Sequence, residues 1–225
     1  MAASGERIRM GVVGTGSLGF HHTRILRDLP EVEMQGFFEA RPERAREVEG
    51  ELEVPARASL EELLDGVDAV VIAVPTVEHE VVATEALRRG IHVMVEKPMA
   101  PDLASADRIL EAARGTGAVV QIGHVERFNA ALQAAEEFLD KPLFIESHRI
   151  APFVPRSTDV AVVLDLMIHD VDLVQALVGE LARGLCRRGH QVHLICYHHG
   201  AFERNEPFTV HRIRGWTSYR RLRSG

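Results

Sequence analysis

Three side chains in this sequence have the types and spacing to carry a proton and a hydride between them: Lys97, Asp165 and His169. Lysine is scarce here. Of 26 basic residues only Lys97 and Lys141 are Lys, and the rest are Arg. A Lys kept in such a chain points to work that Arg cannot do, because Arg holds its proton at any useful pH. Lys97 lies in Glu96-Lys97-Pro98, where the proline restricts it to an extended backbone and so aims its side chain. Asp165 and His169 are four residues apart, which puts them on one face of a helix. A histidine can take a hydroxyl proton near neutral pH, and a lysine beside the same hydroxyl stabilises the negative charge that develops. The chemistry that fits is oxidation of an alcohol to a ketone. His169, Asp170 and Asp172 also admit a metal reading, but this chemistry requires no metal and none is expected.

Such a reaction needs a hydride acceptor, and the N-terminal part of the chain supplies its fingerprint. Gly14-Thr15-Gly16-Ser17-Leu18-Gly19 follows an apolar run and opens a helical stretch. In that setting Gly14 permits a tight turn, Gly16 admits a pyrophosphate close to the backbone, and Gly19 lets helix pack on strand, with Ser17 and Leu18 offering amides to the phosphates. Glu39 comes 20 residues after Gly19, where a carboxylate can accept from ribose hydroxyls and repel a 2′-phosphate. NAD is therefore the expected cofactor. Arg41 leaves NADP open, since an Arg there could tolerate a 2′-phosphate or stack on adenine.

These residues need a frame. Apolar runs at 8–13, 32–38, 69–74, 92–95 and 119–122 read as strands, and 21–29, 41–51, 60–65, 77–89, 102–115 and 126–139 as helices, with Asp102 a plausible N-cap. The alternation predicts a doubly wound parallel sheet covered on both faces, a Rossmann α/β fold over residues 1–123. Beyond 123 the rhythm changes: a strand at 144–150, a Pro-containing loop, then an apolar segment at 160–178 entering a helix. We read 124–179 as a truncated α+β domain holding the substrate and catalytic groups. Its partial sheet would leave an apolar face exposed.

The 225-residue chain has a net charge of −7, but the charge is unevenly spread. Residues 1–180 hold 17 basic and 31 acidic residues, whereas 181–225 hold nine Arg and two acids. Both cysteines, the single Trp and both Tyr also fall in that tail. A change this abrupt sets a boundary near Gly179, with 180–225 a separate basic tail. The tail reads as a helix, a Gly turn and a strand, and resembles the opening of a GT-B glycosyltransferase. An alternative is a divergent basic appendage, though nucleic-acid binding is not expected of it. No apolar run reaches the ~20 residues of a membrane helix, no signal-peptide h-region is visible, and two cysteines make no disulfide framework. A cytoplasmic protein is expected.

The Gly-rich turn, Val74-Pro75-Thr76 with His79, Glu96-Lys97-Pro98 and the Asp165-x-x-x-His169 segment together resemble the Gfo/Idh/MocA oxidoreductase family. The resemblance covers residues 7 to about 179. It implies a Rossmann domain joined to an α/β domain whose open sheet often mediates homo-oligomers. It implies a catalytic set of Lys97, Asp165 and His169, with Val74, Pro75, His79, Glu96 and Lys97 lining the cofactor. The segments 123–129, 148–153 and 165–172 further resemble a branch of the family that acts on UDP-N-acetylglucosamine, oxidising the sugar 3-hydroxyl with NAD on a route to lipid A. On that basis Arg127, Asn129, Arg149 and Arg156 are candidate substrate contacts, and Arg suits a diphosphate. Family members are much longer than this chain. A non-catalytic NAD-binding regulator and an inactive truncated fusion product are the competing readings.

Overall fold

The computed structural model describes residues 7–135, 146, 148, 167–187, 193–196 and 209–212. These fall into two compact units that divide after His124.

The first unit is a five-stranded sheet of β1 (Ile8–Val13), β2 (Val32–Phe38), β3 (Ala69–Ile72), β4 (His92–Val95) and β5 (Val120–Ile122). All neighbours pair parallel, in the order β2-β1-β3-β4-β5. A single parallel bridge from Phe37 to Ala56 adds the stub of a further strand outside β2. With that stub the order is that of a dinucleotide-binding sheet, whose reversal point lies between β1 and β3. The helices are α1 (Ser17–Asp28), α2 (Pro42–Leu52), α3 (Leu60–Leu64), α4 (His79–Arg88) and α5 (Leu103–Ala113).

Successive strand residues feed opposite faces, as a pleated strand requires. Val12 and Val71 pack with Leu26, Phe37, Val48 and Leu52 on the α1–α2 side. Val13, Val70 and Ile72 pack with Leu63, Val82, Leu87 and Ile109 on the α3–α5 side. With both faces covered, the central strand β3 is apolar throughout, whereas the edge strands carry polar residues, Glu33 and Gln35 on β2 and Gln121 on β5. Asp102 caps α5 by accepting from the Ser105 amide at 2.8 Å, and Ser59 caps α3 in the same way from Glu62.

α1 begins at Ser17, four residues before the sequence-based start, because the Gly-rich turn runs directly into helix with Gly16 as its cap. The expected helix over 126–139 is instead a 3-10 turn, Val125–Phe128, followed by α6 (Ala130–Ala135). The break is made by Asn129, whose side-chain oxygen accepts from the Ala131 amide and starts a new helix.

The second unit contains that turn, α6, the helix α7 (Ile168–Arg187), and the parallel pair β6 (His193–Cys196) and β7 (Thr209–Arg212). α7 runs unbroken through position 179, where the composition changes. The predicted strand at 144–150 lies outside the described residues except for Glu146 and His148.

Candidate dinucleotide and catalytic site

The dinucleotide turn sits at the carboxyl ends of β1 and β3, where the strand order reverses. Gly14 has φ of 82°, and a Cβ there would lie 2.9 Å from the Ala73 carbonyl oxygen. Gly19 is packed so closely that a Cβ would come within 1.8 Å of the Gly14 carbonyl oxygen. Gly16 differs from both: a Cβ there would meet no protein atom within 4 Å. The space beside Gly16 is therefore open, as a bound pyrophosphate demands. The first turn of α1 carries no acidic residue and no side-chain cap, so the amides at Ser17 and Leu18 face outward with the positive end of the helix dipole. The residues present fit a dinucleotide.

Glu39, just past β2, bridges to this turn. Its Oε2 accepts from the Thr15 amide at 2.9 Å, and its Oε1 from Arg41 Nε at 2.8 Å. Burial works to raise the Glu39 pKa, but hydrogen bonds from Arg41 and Thr15 outweigh it and hold the carboxyl at about 2. It is therefore ionised at neutral pH and set against a 2′-phosphate. The Arg41 guanidinium is paired with that same carboxylate. Arg44 was not foreseen. Its Nε donates to the Thr15 carbonyl at 2.9 Å and its guanidinium lies 5.4 Å from the Phe20 ring centroid, fixing the turn from the α2 side. No motif marks it, because its contact follows from the α1–α2 packing.

The Lys97 turn follows β4 at the same edge of the sheet. Glu96 is buried, its side chain 8% exposed. Its Oε1 is 2.6 Å from Nε2 of His22 on α1, and its Oε2 accepts from the Lys97 amide at 3.2 Å. Glu96 was expected to line the cofactor; its carboxylate is directed into this internal cluster. His79, also expected there, is 1% exposed. Its Nδ1 is 3.0 Å from the Pro98 carbonyl oxygen and its Nε2 is 2.9 Å from that of Val74. The ring lies between these two acceptors and its N–H donates to one of them, so His79 braces the loop after β3 against the Lys97 turn. Val74 is half-buried against Gly14, and exposed Pro75 precedes the 3-10 turn Thr76–Glu78.

In the second unit His169 lies in the first turn of α7 and is half-buried. Asp165, Arg149 and Arg156 lie outside the described residues. Arg127 was expected to meet substrate, yet its Nε and Nη2 grip Asp172 of α7 at 2.7 and 2.5 Å. That fork raises the Arg127 pKa, against the opposing effect of partial burial. Asn129 likewise spends its amide on Glu126 Oε2 and on the start of α6. Among the described residues no group of three or more His, Cys, Asp or Glu is gathered as a metal site, and no helix is long and apolar enough to cross a membrane.

Fold and turn thus define a dinucleotide-binding Rossmann protein. Residues 8–124 match the sequence profile of the oxidoreductase family with an NAD-binding Rossmann fold, named Gfo/Idh/MocA. UDP-N-acetylglucosamine 3-dehydrogenase of Acidithiobacillus ferrooxidans is 40% identical over 173 residues, 76% of this chain and 55% of that protein. Its crystal structure superposes with a TM-score of 0.70, covering 76% of this chain and 54% of its own. Inositol 2-dehydrogenase 4 of Saccharopolyspora erythraea is 33% identical over 190 residues, 79% of this chain and 56% of that protein. A probable dehydrogenase from Thermotoga maritima is 26% identical with a TM-score of 0.68, covering 76% and 55%. The chain spans about half the length of the relatives it matches. It belongs to the Gfo/Idh/MocA oxidoreductase family.

Proposed function

We propose that this chain is the cofactor-binding and catalytic portion of an NAD-dependent sugar dehydrogenase that oxidises the 3-hydroxyl of UDP-N-acetylglucosamine. The observation that carries the reading is the Lys97 turn, held at the carboxyl end of β4 on the same sheet edge as the dinucleotide turn. When bound, NAD accepts the hydride from the sugar carbon. The phosphates would be held by the amides around Gly16, Ser17 and Leu18, and the adenosine ribose by Glu39. His169, in concert with Asp165, would take the hydroxyl proton as the carbon gives up its hydride, so that the alcohol leaves as a ketone. Lys97 would hydrogen-bond the same oxygen and stabilise the charge that builds on it. Arg127, Asn129, Arg149 and Arg156 are the candidate contacts for the nucleotide sugar, the Arg side chains suiting its diphosphate. The 40% identity to a UDP-N-acetylglucosamine 3-dehydrogenase supports this sugar. A cytoplasmic location and a step toward lipid A belong to the same reading.

The second reading is an inositol dehydrogenase, favoured by the 33% identity to one such enzyme. Purified chain with NAD and either UDP-N-acetylglucosamine or myo-inositol, followed at 340 nm, separates them. Growth of absorbance with the nucleotide sugar alone is expected. Growth with inositol alone overturns the sugar assignment. NAD binding without turnover on either leaves a non-catalytic NAD protein or an inactive fusion product.

A further inference from the structure

The proposed chemistry assigns nothing to His22, yet it is the side chain that ties the dinucleotide helix to the Lys97 turn. We infer that His22, through Glu96, is a positioning residue for Lys97. A carboxylate with only 8% of its side chain exposed is costly to bury unless charged or polar partners surround it. Glu96 has two from different elements: the His22 ring on α1 at 2.6 Å and the Lys97 amide at 3.2 Å. A third element makes room for it. A Cβ at Gly123, after β5, would stand 3.1 Å from the Glu96 Cδ and from both its oxygens. α1, β4 and β5 thus converge on one carboxylate.

The arrangement places His22 mechanically upstream of Lys97. His22 lies three residues past Gly19 on α1, one helical turn from the contact that seats the helix on the dinucleotide turn. Glu96 Oε2 fixes the Lys97 amide, and His79 fixes the Pro98 carbonyl on the other side. The Lys97 stem therefore leaves a backbone anchored at both ends. Without the His22 contact, Glu96 keeps its burial but loses the partner that holds its oxygens in register. Lys97 then departs from the backbone at a different angle, although its own chemistry is unchanged.

The inference rests on the reading of Lys97 as the group facing the nicotinamide, and the test separates the two. The chain has only two lysines, so reductive methylation with 13C-formaldehyde gives a dimethyl-lysine spectrum that Lys141→Arg assigns. His22→Gln keeps a side-chain donor at the reach of Nε2; His22→Asn falls short of it. The expected result is a displaced Lys97 signal in free His22→Asn, a wild-type signal in His22→Gln, and NAD affinity changed by less than about threefold in both. Glu96→Gln should displace the signal as His22→Asn does, and stands in if that variant does not fold. A Lys97 signal unmoved by His22→Asn overturns the inference, as does equal displacement in His22→Gln. A wild-type Lys97 signal that NAD leaves unmoved overturns the reading of Lys97, while the free-state spectra still decide the role of His22.

Discussion

The two units solve the same problem by different means. In the first, functional groups are positioned by backbone: glycines that exclude a Cβ, strand ends that set loops side by side, and a histidine that braces two carbonyls. In the second, a long helix bearing His169 is tied to the neighbouring turn by a charged side-chain pair, Arg127–Asp172. A backbone-built site has few tolerated substitutions but announces itself in sequence. A side-chain-built site is silent in sequence, since any Arg can reach any Asp once the fold permits it.

Substitutions at the glycines test this contrast hardest. Gly19→Val drives a side chain into the Gly14 carbonyl; we expect a loss of roughly 3 kcal/mol and a visibly lower melt of the first unit. A Cβ at Gly16 meets no protein atom within 4 Å, so the melt of Gly16→Val should match wild type while NAD affinity falls on the order of 100-fold. Equal effects on stability from both would break the distinction between packing and ligand clearance. Next comes His79→Leu, which removes the ring N–H set between the Val74 and Pro98 carbonyls. About 2 kcal/mol should be lost, measured by urea unfolding.

The second unit should respond separately. Arg127→Leu deprives the buried Asp172 of its fork, but Arg127 is half exposed and solvent screens part of the loss. We expect about 1 kcal/mol, seen as faster amide exchange along α7 with β1–β5 protection unchanged. Slowed or unaltered exchange in α7 would remove the pair from its structural role. The smallest effect concerns pH. Glu39 is held near 2, below its ordinary value of 4.5, so its contribution is complete above about 4.5 and is lost as pH falls through about 2. The stability difference between wild type and Glu39→Gln should be constant from neutral pH to about 5 and close toward 2. At neutral pH the same variant should gain affinity for NADP relative to NAD.

Much of the first unit was legible beforehand because its requirements are local. The central strand Ala69–Ile72 is apolar on both faces, the turn needs its three glycines in order, and Asp102 caps the helix three residues ahead of Ser105. Glu39 was legible for a similar reason, since its place follows from the length of one βαβ unit. What escaped were side-chain contacts between segments distant in sequence. His22 with Glu96 spans 74 residues, Arg127 with Asp172 spans 45, and Arg44 with Thr15 spans 29. Arg127 and Asn129 were expected at the substrate because their types suit it, and the structure engages both inside the second unit.

The sequence alone determined the sheet, the turn and the presence of Lys97 after a strand, because short-range sterics and burial fix those. Only the tertiary structure decided which way Glu96, His79, Arg41 and Arg127 direct their polar atoms. A charged or polar side chain goes where its desolvation is best compensated, and the compensating partner belongs to another element whose place is known only when the chain has folded.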